Sequence, residues 1–546
     1  MTNRCSRAGA RSAGLARTLG TALAVVTPIV IATAIATATA LGASRETAQA
    51  AADAPHSDAT GQLTTTIEHR RELLEELIEL LKIPNVASDK ANIRRNADAI
   101  VVMMQRRGLS PQLLTSSRNP DVPPAIFGEW RVPKAKHTII LYAHYDGQPV
   151  NPTEWVTPPF TPTLRTAPIE KGGAIIPGEK IADAASDPET RLYARGAGDD
   201  KAGVMVILGA IDALKAAHRT PTDNIKIVFE GEEEAGSPHL ADLLTEHKAL
   251  LDSQLWVICD APVHPTGRKM VVYGARGDMN IEVTVYGAVR ALHSGHYGNW
   301  APNPAFKLAR LLTSMKDEKG HVLIPGWYDD IAPLGDLEQR AIENAATYDE
   351  AVRHELGIAE PESSSLPAAA TTPSLNINGM RSANVGAESS NIIPDTASAV
   401  LDVRLVLGNE PQRQYAKLVD FIRSKGYYLV DHAPTLQERL EHSLIASVRL
   451  RPGAYAAARA PMDDPLAHAI AAAVRSSSSQ PIIELPTSGA SMPLSIIQTA
   501  LGTRSIDIPT ANYDDNQHAA NENLRLGNLW EGIDTYAALL THRPGG

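Results

Sequence analysis

The sequence predicts an α/β protein: a larger domain with a mostly parallel sheet flanked by helices, interrupted by a smaller α+β, ferredoxin-like lid. Three observations predict it. The apolar runs Thr138–Ala143, Asn224–Phe229 and Leu255–Cys259 have the character of strands buried on both faces, and each ends in a polar cluster. The pattern then changes to period-two alternation over Met279–Val285, with further helix-like and strand-like stretches up to Val430. Beyond about Pro461 the α/β pattern resumes and reaches Asp514-Asp515-Asn516-Gln517-His518, so the lid is inserted into the domain it covers. The expected divisions are 63–272 and 460–546 for the larger domain and 273–459 for the lid.

The N-terminus is set apart. Arg4, Arg7, Arg11 and Arg17 precede an uncharged, Ala-, Val-, Ile- and Leu-rich stretch from Leu19 to Ala43, and Ala48-Gln49-Ala50 is a small-x-small cleavage pattern. Residues 1–50 are therefore expected to be a signal peptide and 51–62 a disordered leader, giving a secreted or periplasmic protein. A retained membrane anchor is the alternative, weakened by Pro28 and the many Ala and Thr residues. Residues 1–50 carry five Arg and one Glu, so removing them takes the formal net charge from −11 to −15. That excess of acid argues against a nucleic-acid partner. With Cys5 in the signal and Cys259 in an apolar run, the remaining chain has one thiol and no internal disulfide.

Taken in order, Thr64–Leu81 places Ile67, Leu73, Leu74, Leu77, Ile78 and Leu81 at helical spacing among Glu and Arg, and a second helix is expected over Ala91–Arg107. The strand Thr138–Ala143 delivers His144-Tyr145-Asp146-Gly147. Arg195-Gly-Ala-Gly-Asp-Asp-Lys-Ala-Gly203 then sets Asp199 and Asp200 where a glycine-rich turn meets the helical run Ala202–Ala217. The second buried strand delivers Glu230-Gly-Glu-Glu-Glu-Ala-Gly-Ser237, and the third Asp260. In the lid, helices are expected over Pro304–Ser314 and Gln412–Ser424, with a second strand over Ala397–Leu407 and a third over Tyr427–Val430. Glu338–Leu356 reads as helix and the Pro-, Ser- and Ala-rich Ala359–Ser374 as a loop. Helices over Leu466–Val474 and Leu526–Leu540 complete the chain.

Ligands of open α/β sheets bind at the carboxyl ends of the strands. An Asp before a helix is more often a cap, and a Glu run more often solvated surface. Three strands in succession ending in His or carboxylate, with Asp199 between the first two, shift the balance to a site. His, Asp and Glu without thiolate suit zinc, cobalt or manganese at an open catalytic centre. Gly-x-Ser-x-Gly, His-Glu-x-x-His and Gly-Lys-Ser/Thr are all absent, which removes the common serine-hydrolase, zincin and phosphate-loop readings.

Together, His144-Tyr-Asp-Gly-Gln, Arg195-Gly-Ala-Gly-Asp-Asp-Lys, Phe229-Glu-Gly-Glu-Glu-Glu-Ala-Gly-Ser, Leu292-His-Ser-Gly-His-Tyr-Gly and Asn391-Ile-Ile-Pro resemble the co-catalytic di-zinc metallopeptidase family. That family includes aminoacylases, glutamate carboxypeptidases and carnosinase-like dipeptidases. The resemblance runs from about Glu68 to the C-terminus and is closest to the carnosinase-like branch. It implies two divalent metal ions per subunit, Zn2+ or alternatively Mn2+ or Co2+. His144 and Asp260 would hold one, Glu234 and His518 the other, and Asp199 would bridge them, with a cis Asp199–Asp200 peptide. Among Glu232, Glu233 and Glu234, the family's Glu-Glu-x-Gly-Ser anchor selects Glu233 as general base for a metal-bridged water and Glu234 as ligand. Asp146, two residues after His144, could orient its imidazole.

By the same resemblance Arg404 binds a substrate carboxylate, Asn391 and Ser491 are further substrate contacts, and His293 stabilises the oxyanion in the partner's site of a homodimer formed through the lid. A structural ion pair is the competing role for Arg404. Ala519 stands where a dipeptidase often has Ser, and Ala202 replaces a frequent glycine. Thr166–Leu192 is longer than the usual link and is expected to reshape the pocket entrance. The function implied is hydrolysis of dipeptides or short peptides next to a free C-terminal carboxylate. An N-acyl-amino-acid amidohydrolase or carboxypeptidase is the alternative, and a non-catalytic binding protein is disfavoured because all five ligand positions and the base are filled.

Overall fold

The computed structural model describes residues 67–541; the expected signal peptide and leader lie outside them. Among the described residues no helix is long and apolar enough to cross a membrane. The larger sheet has eight strands in the order Gln112–Leu114, Ala125–Trp130, Asn224–Glu230, Thr138–His144, Leu255–Ile258, Arg504–Asp507, Met270–Val272, Ile483–Leu485. Its centre is parallel: Thr138–His144 pairs in parallel with both neighbours, as does Arg504–Asp507 with Leu255–Ile258. The two strands at the Gln112 edge are antiparallel.

These central strands are apolar throughout because both faces are covered. In Thr138–His144, Ile139, Leu141 and Ala143 join one core cluster while Ile140 and Tyr142 join the cluster on the opposite face. Leu255–Ile258 divides the same way, with Leu255 and Val257 on one side and Trp256 and Ile258 on the other. The helix Lys201–Ala216 is buried nearly all round between Ile67–Leu81 and the last helix, Leu526–Thr541. Gly209 permits that approach, since a Cβ there would lie 2.7 Å from Ile533 Cδ1. At the head of this helix Lys201 is fully buried, and its Nζ donates to the carbonyls of Leu80 (2.9 Å) and Ile83 (3.0 Å), closing the end of the first helix. Burial pulls that ammonium down to about 7.

The lid sheet is organised on Gly274–Tyr286. This strand pairs antiparallel with Thr396–Leu405 and Ile445–Leu450, and Asn376–Arg381 lies outside Thr396–Leu405. With helices Pro304–Thr313 and Pro411–Ser424 this is the ferredoxin-like order, but not with the expected third strand. Tyr428–Leu429 is only a two-residue parallel edge, and Ile445–Leu450 fills the position instead. Asn376–Arg381 escaped the sequence reading because all six residues are exposed and carry no apolar alternation. The strand Gly274–Tyr286 also ties the two sheets together. Its Ala275 packs in the larger domain's core and its Met279, Ile281, Val283 and Val285 in the lid's.

Two connections differ from expectation. Glu338–Leu356 is two helices, Asp336–Ala346 and Asp349–Glu355, and the first covers the edge strand Ile483–Leu485 by packing Ala345 against Ile483 and Met270. The long link Thr166–Leu192 carries the helix Ile181–Ser186, whose Ala184 and Ala185 are buried against the first helix. None of its residues lines the pocket described below, so the structure gives no support to the expected reshaping of the entrance; apart from Ala184, Ala185 and its last residues most of the segment is exposed.

Candidate metal centre and active site

The glycine-rich turn that presents Asp199 is held by one buried carboxylate. Glu522 accepts the N–H groups of Gly196 (3.1 Å), Gly198 (2.9 Å) and Asp199 (3.0 Å) and pairs with buried Arg195 at 2.6 Å. Gly196 is needed there because its φ is +80°. The Asp199–Asp200 peptide is cis. Asp200 caps the following helix through Gly203 N–H (3.1 Å) and also accepts His144 N–H (3.1 Å), so it is structural and locks the helix start to the end of the first strand.

Asp199 is thereby placed between two histidines. Its Oδ1 is 3.0 Å from His144 Nε2 and its Oδ2 is 3.1 Å from His518 Nε2, while Gln517 Nε2 donates to Oδ2 at 2.8 Å. Burial works against its charge, yet the contacts with His144 and His518 outweigh it and hold Asp199 below the ordinary carboxylate range. Asp260 Oδ2 lies 3.8 Å from His144 Nε2, and Glu234 Oε2 lies 3.2 Å from His518 Nε2. Ligand atoms of His144, Asp199 and Asp260 all fall within 4.8 Å of one another, as do those of Asp199, Glu234 and His518. The two triplets share Asp199. His518 reaches its place through left-handed backbone, φ +61°.

The donors fit a pair of divalent ions. Two imidazoles and three carboxylates without thiolate match zinc, cobalt or manganese. Glu234 Oε1 is buried without a hydrogen-bond partner. Burial and neighbouring acids push Glu234 up to about 7 and Asp260 up to about 6, a crowding of negative charge that cations in the two triplets would relieve.

The three glutamates part company. Glu232 turns away and accepts His239 N–H and Nδ1, each at 3.0 Å. Glu234 joins the second triplet, steadied by Gln148 Nε2 at 2.7 Å. Glu233 belongs to neither triplet; it lines the cavity with Oε2 3.9 Å from His144 Nε2, and burial, with Asp260 and Glu234 beside it, raises its pKa well above the ordinary value. Asp146 has two tasks. Its Oδ1 is 3.5 Å from His144 Nδ1, and its carboxylate accepts the N–H groups of Glu233 (3.1 Å) and Glu234 (3.0 Å). The sequence reading gave it only the first.

The cavity, ≈ 510 Å³, has Asp199, Glu233, Asp260 and His518 on one side and Arg404 and Ser491 on the other. Arg404 Nη1 donates to Ser491 Oγ at 2.8 Å, and its Nε faces Asp402 (3.1 Å) and Asp278 (3.5 Å). It is both ion-paired and on the cavity wall. Arg276, which the sequence reading missed, lines the same wall and donates through Nε (2.9 Å) and Nη2 (2.6 Å) to Gly489 O. His293 and Asn391 are not brought to this cavity. Both are exposed: His293 pairs in register with Ile392 in a two-stranded ribbon, and Asn391 directly precedes that ribbon's second strand and accepts Ser294 N–H at 2.9 Å.

A family model described as Peptidase family M20/M25/M40 matches residues 140–542. Human Beta-Ala-His dipeptidase is 26% identical over 449 residues, covering 79% of this chain and 79% of that one. The Cys-Gly metallodipeptidase DUG1 of Candida albicans is 25% identical over 515 residues, 88% of this chain and 96% of its own. Among solved structures, the M20 family metallo-carboxypeptidase Sso-CP2 from Sulfolobus solfataricus superposes with a TM-score of 0.70 at 26% identity, covering 86% of this chain and 98% of that one.

Proposed function

The chain belongs to peptidase family M20/M25/M40 and is a metal-dependent hydrolase of its dipeptidase and carboxypeptidase kind, and from that premise we propose that it cleaves the peptide bond adjacent to a free C-terminal carboxylate. The observation that carries the proposal is the sharing of Asp199 between two ligand triplets with Glu233 beside them and attached to neither.

His144, Asp199 and Asp260 would hold one divalent ion and Asp199, Glu234 and His518 the other, zinc being the ion we propose. Such ions, when bound, polarise the scissile carbonyl and acidify water. The chain's own residues supply the rest. Glu233 accepts the proton of the attacking water and returns it to the departing amine, and its raised pKa suits both halves of that exchange. Asp146 sets the Glu233–Glu234 turn and the His144 ring at once. Arg404, positioned by Asp402 and Ser491, receives the substrate carboxylate, and Ser491 offers its hydroxyl beside it.

The test is a panel of dipeptides, N-acyl amino acids and longer peptides with metal-loaded protein. Hydrolysis of N-acyl amino acids alone would establish the amidohydrolase alternative. Within the panel, Arg404→Ala is expected to lower kcat/KM for substrates with a free carboxylate by about 10- to 100-fold, in line with a lost charge-assisted bidentate contact. The corresponding amides should change far less; equal loss on both would make Arg404 structural.

The proposal includes a homodimer through the lid, with Asn391 beside the substrate and His293 of each chain serving the partner's site. Support comes from an exposed run of rings, His293–His296–Tyr297–Trp300, each within 6.4 Å of the next, with Trp300 79% exposed. Mixing His293→Ala with Glu233→Ala under subunit exchange should then restore about a quarter of wild-type activity, because half the dimers are mixed and each has one complete site. Verified exchange without recovery would remove His293 from the site. Export with cleavage after Ala50 is likewise part of the proposal, checked by N-terminal sequencing of the exported protein.

A further inference from the structure

Asn85, on the link between helices Ile67–Leu81 and Lys90–Arg106, is fully buried against two of the loops that carry the metal-centre residues. The link is itself pinned. Lys201 Nζ donates to Ile83 O at 3.0 Å, and Asn96 Nδ2 donates to Pro84 O at 2.8 Å.

From this fixed base Asn85 holds the chain on both sides of Asp146. Its Nδ2 donates to Tyr145 O (3.2 Å), and its own carbonyl accepts Gly147 N–H (2.9 Å). Its amide also fills the space that two glycines leave open: a Cβ on Gly147 would lie 2.8 Å from Asn85 Nδ2, and so would a Cβ on Gly196. Gly147 follows Asp146, and Gly196 belongs to the turn that presents Asp199. One side chain therefore abuts both loops. The amide is costly where it sits, because Oδ1 is buried without a hydrogen-bond partner among the described residues, and an unmet buried acceptor destabilises a fold. An apolar side chain of similar size would avoid that cost. What the amide alone supplies is the donor to Tyr145 O.

We infer that Asn85 is a positioning residue for the metal centre. It fixes the backbone at Asp146, which in turn faces the His144 ring and accepts the N–H groups of Glu233 and Glu234. Through Gly196 the same amide backs the turn that carries Asp199. Three separate stretches of chain are thus held to one spacing by a side chain that belongs to neither ligand triplet. The inference rests on the two-metal reading above and deepens it.

The experiment measures Zn2+ affinity of the full chain by chelator competition, the visible absorption of the Co2+-loaded protein, melting of the metal-free protein, and kcat and KM on the dipeptide that the wild type cleaves fastest. Asn85→Ala, and Asn85→Asp, which keeps the shape but loses the donor, should each weaken Zn2+ binding and lower kcat by about 10- to 100-fold, the usual effect of removing a group that orients metal ligands. KM should stay within about threefold, because Arg404 and Ser491 stand on the other side of the cavity and their uniform binding is untouched. The Co2+ absorption should shift with the ligand geometry. A second route leaves Asn85 in place. Gly147→Ala, at a φ outside the left-handed range, puts a methyl against the amide and should reproduce the loss. In the Asn85→Ala background there is room for that methyl, so it should cost less than about twofold more. Folded variants with wild-type Zn2+ affinity and an unchanged Co2+ spectrum, whatever their melting temperatures, would overturn the inference and leave Asn85 a packing residue. Additive losses in the double variant would do the same. If Asn85→Ala does not fold, Asn85→Asp and Gly147→Ala decide by the same readouts. A wild type that binds no Zn2+ would instead overturn the two-metal reading, and this inference with it.

Discussion

Glu233→Gln is expected to keep the metal content of the wild type and to lose about 10²–10⁴-fold in kcat, the usual contribution of a general base. Retention of metal follows from the geometry: Glu233 lies outside both ligand triplets, and their five residues are untouched by the change. Stability should not fall, because Glu233 is buried beside Asp260 and Glu234 and a neutral amide removes their repulsion. Glu234→Ala is the contrasting variant. It removes a member of the second triplet and should lose metal. Elemental analysis and steady-state kinetics on the two variants decide the matter, and reversed metal contents would place the base at Glu234 and the ligand at Glu233.

Asp199→Ala should have the larger effect, abolishing measurable turnover and lowering occupancy at both metal positions. Asp199 is the member common to the two triplets, with one oxygen toward His144 and the other toward His518. Its loss also leaves the acids Asp260, Glu233 and Glu234 facing two histidines without the central carboxylate. His144→Ala, by contrast, removes a member of one triplet and should chiefly empty that one. Metal stoichiometry by elemental analysis separates these outcomes: an Asp199→Ala protein that still holds two ions, or that turns over like the wild type, would show that Asp199 does not bridge. Circular dichroism would confirm the fold, which is expected to survive because Glu522, Arg195 and Asp200 hold the turn without the Asp199 side chain.

The sequence by itself determined the elements whose cause is local. Thr138–His144, Asn224–Glu230 and Leu255–Ile258 could be read as strands because a strand covered on both faces must be apolar at every position, and their polar ends marked the ligand edge. The long helix after the glycine turn follows from apolar spacing within its own run, whereas only the structure decided that Asp200 and not Asp199 caps it. The tertiary structure alone decided what rests on distant partners. Arg195 and Glu522, 327 residues apart, form the pair that shapes the glycine turn, and Gln517 reaches Asp199 across 318 residues. The same holds for the turning of Glu232 toward His239 and the clamp of Arg276 on Gly489. Hydrophobic periodicity records only whether a side chain is buried. Which charged partner it meets there is fixed when the sheet brings strands from distant parts of the chain to one edge, and that information exists only in three dimensions.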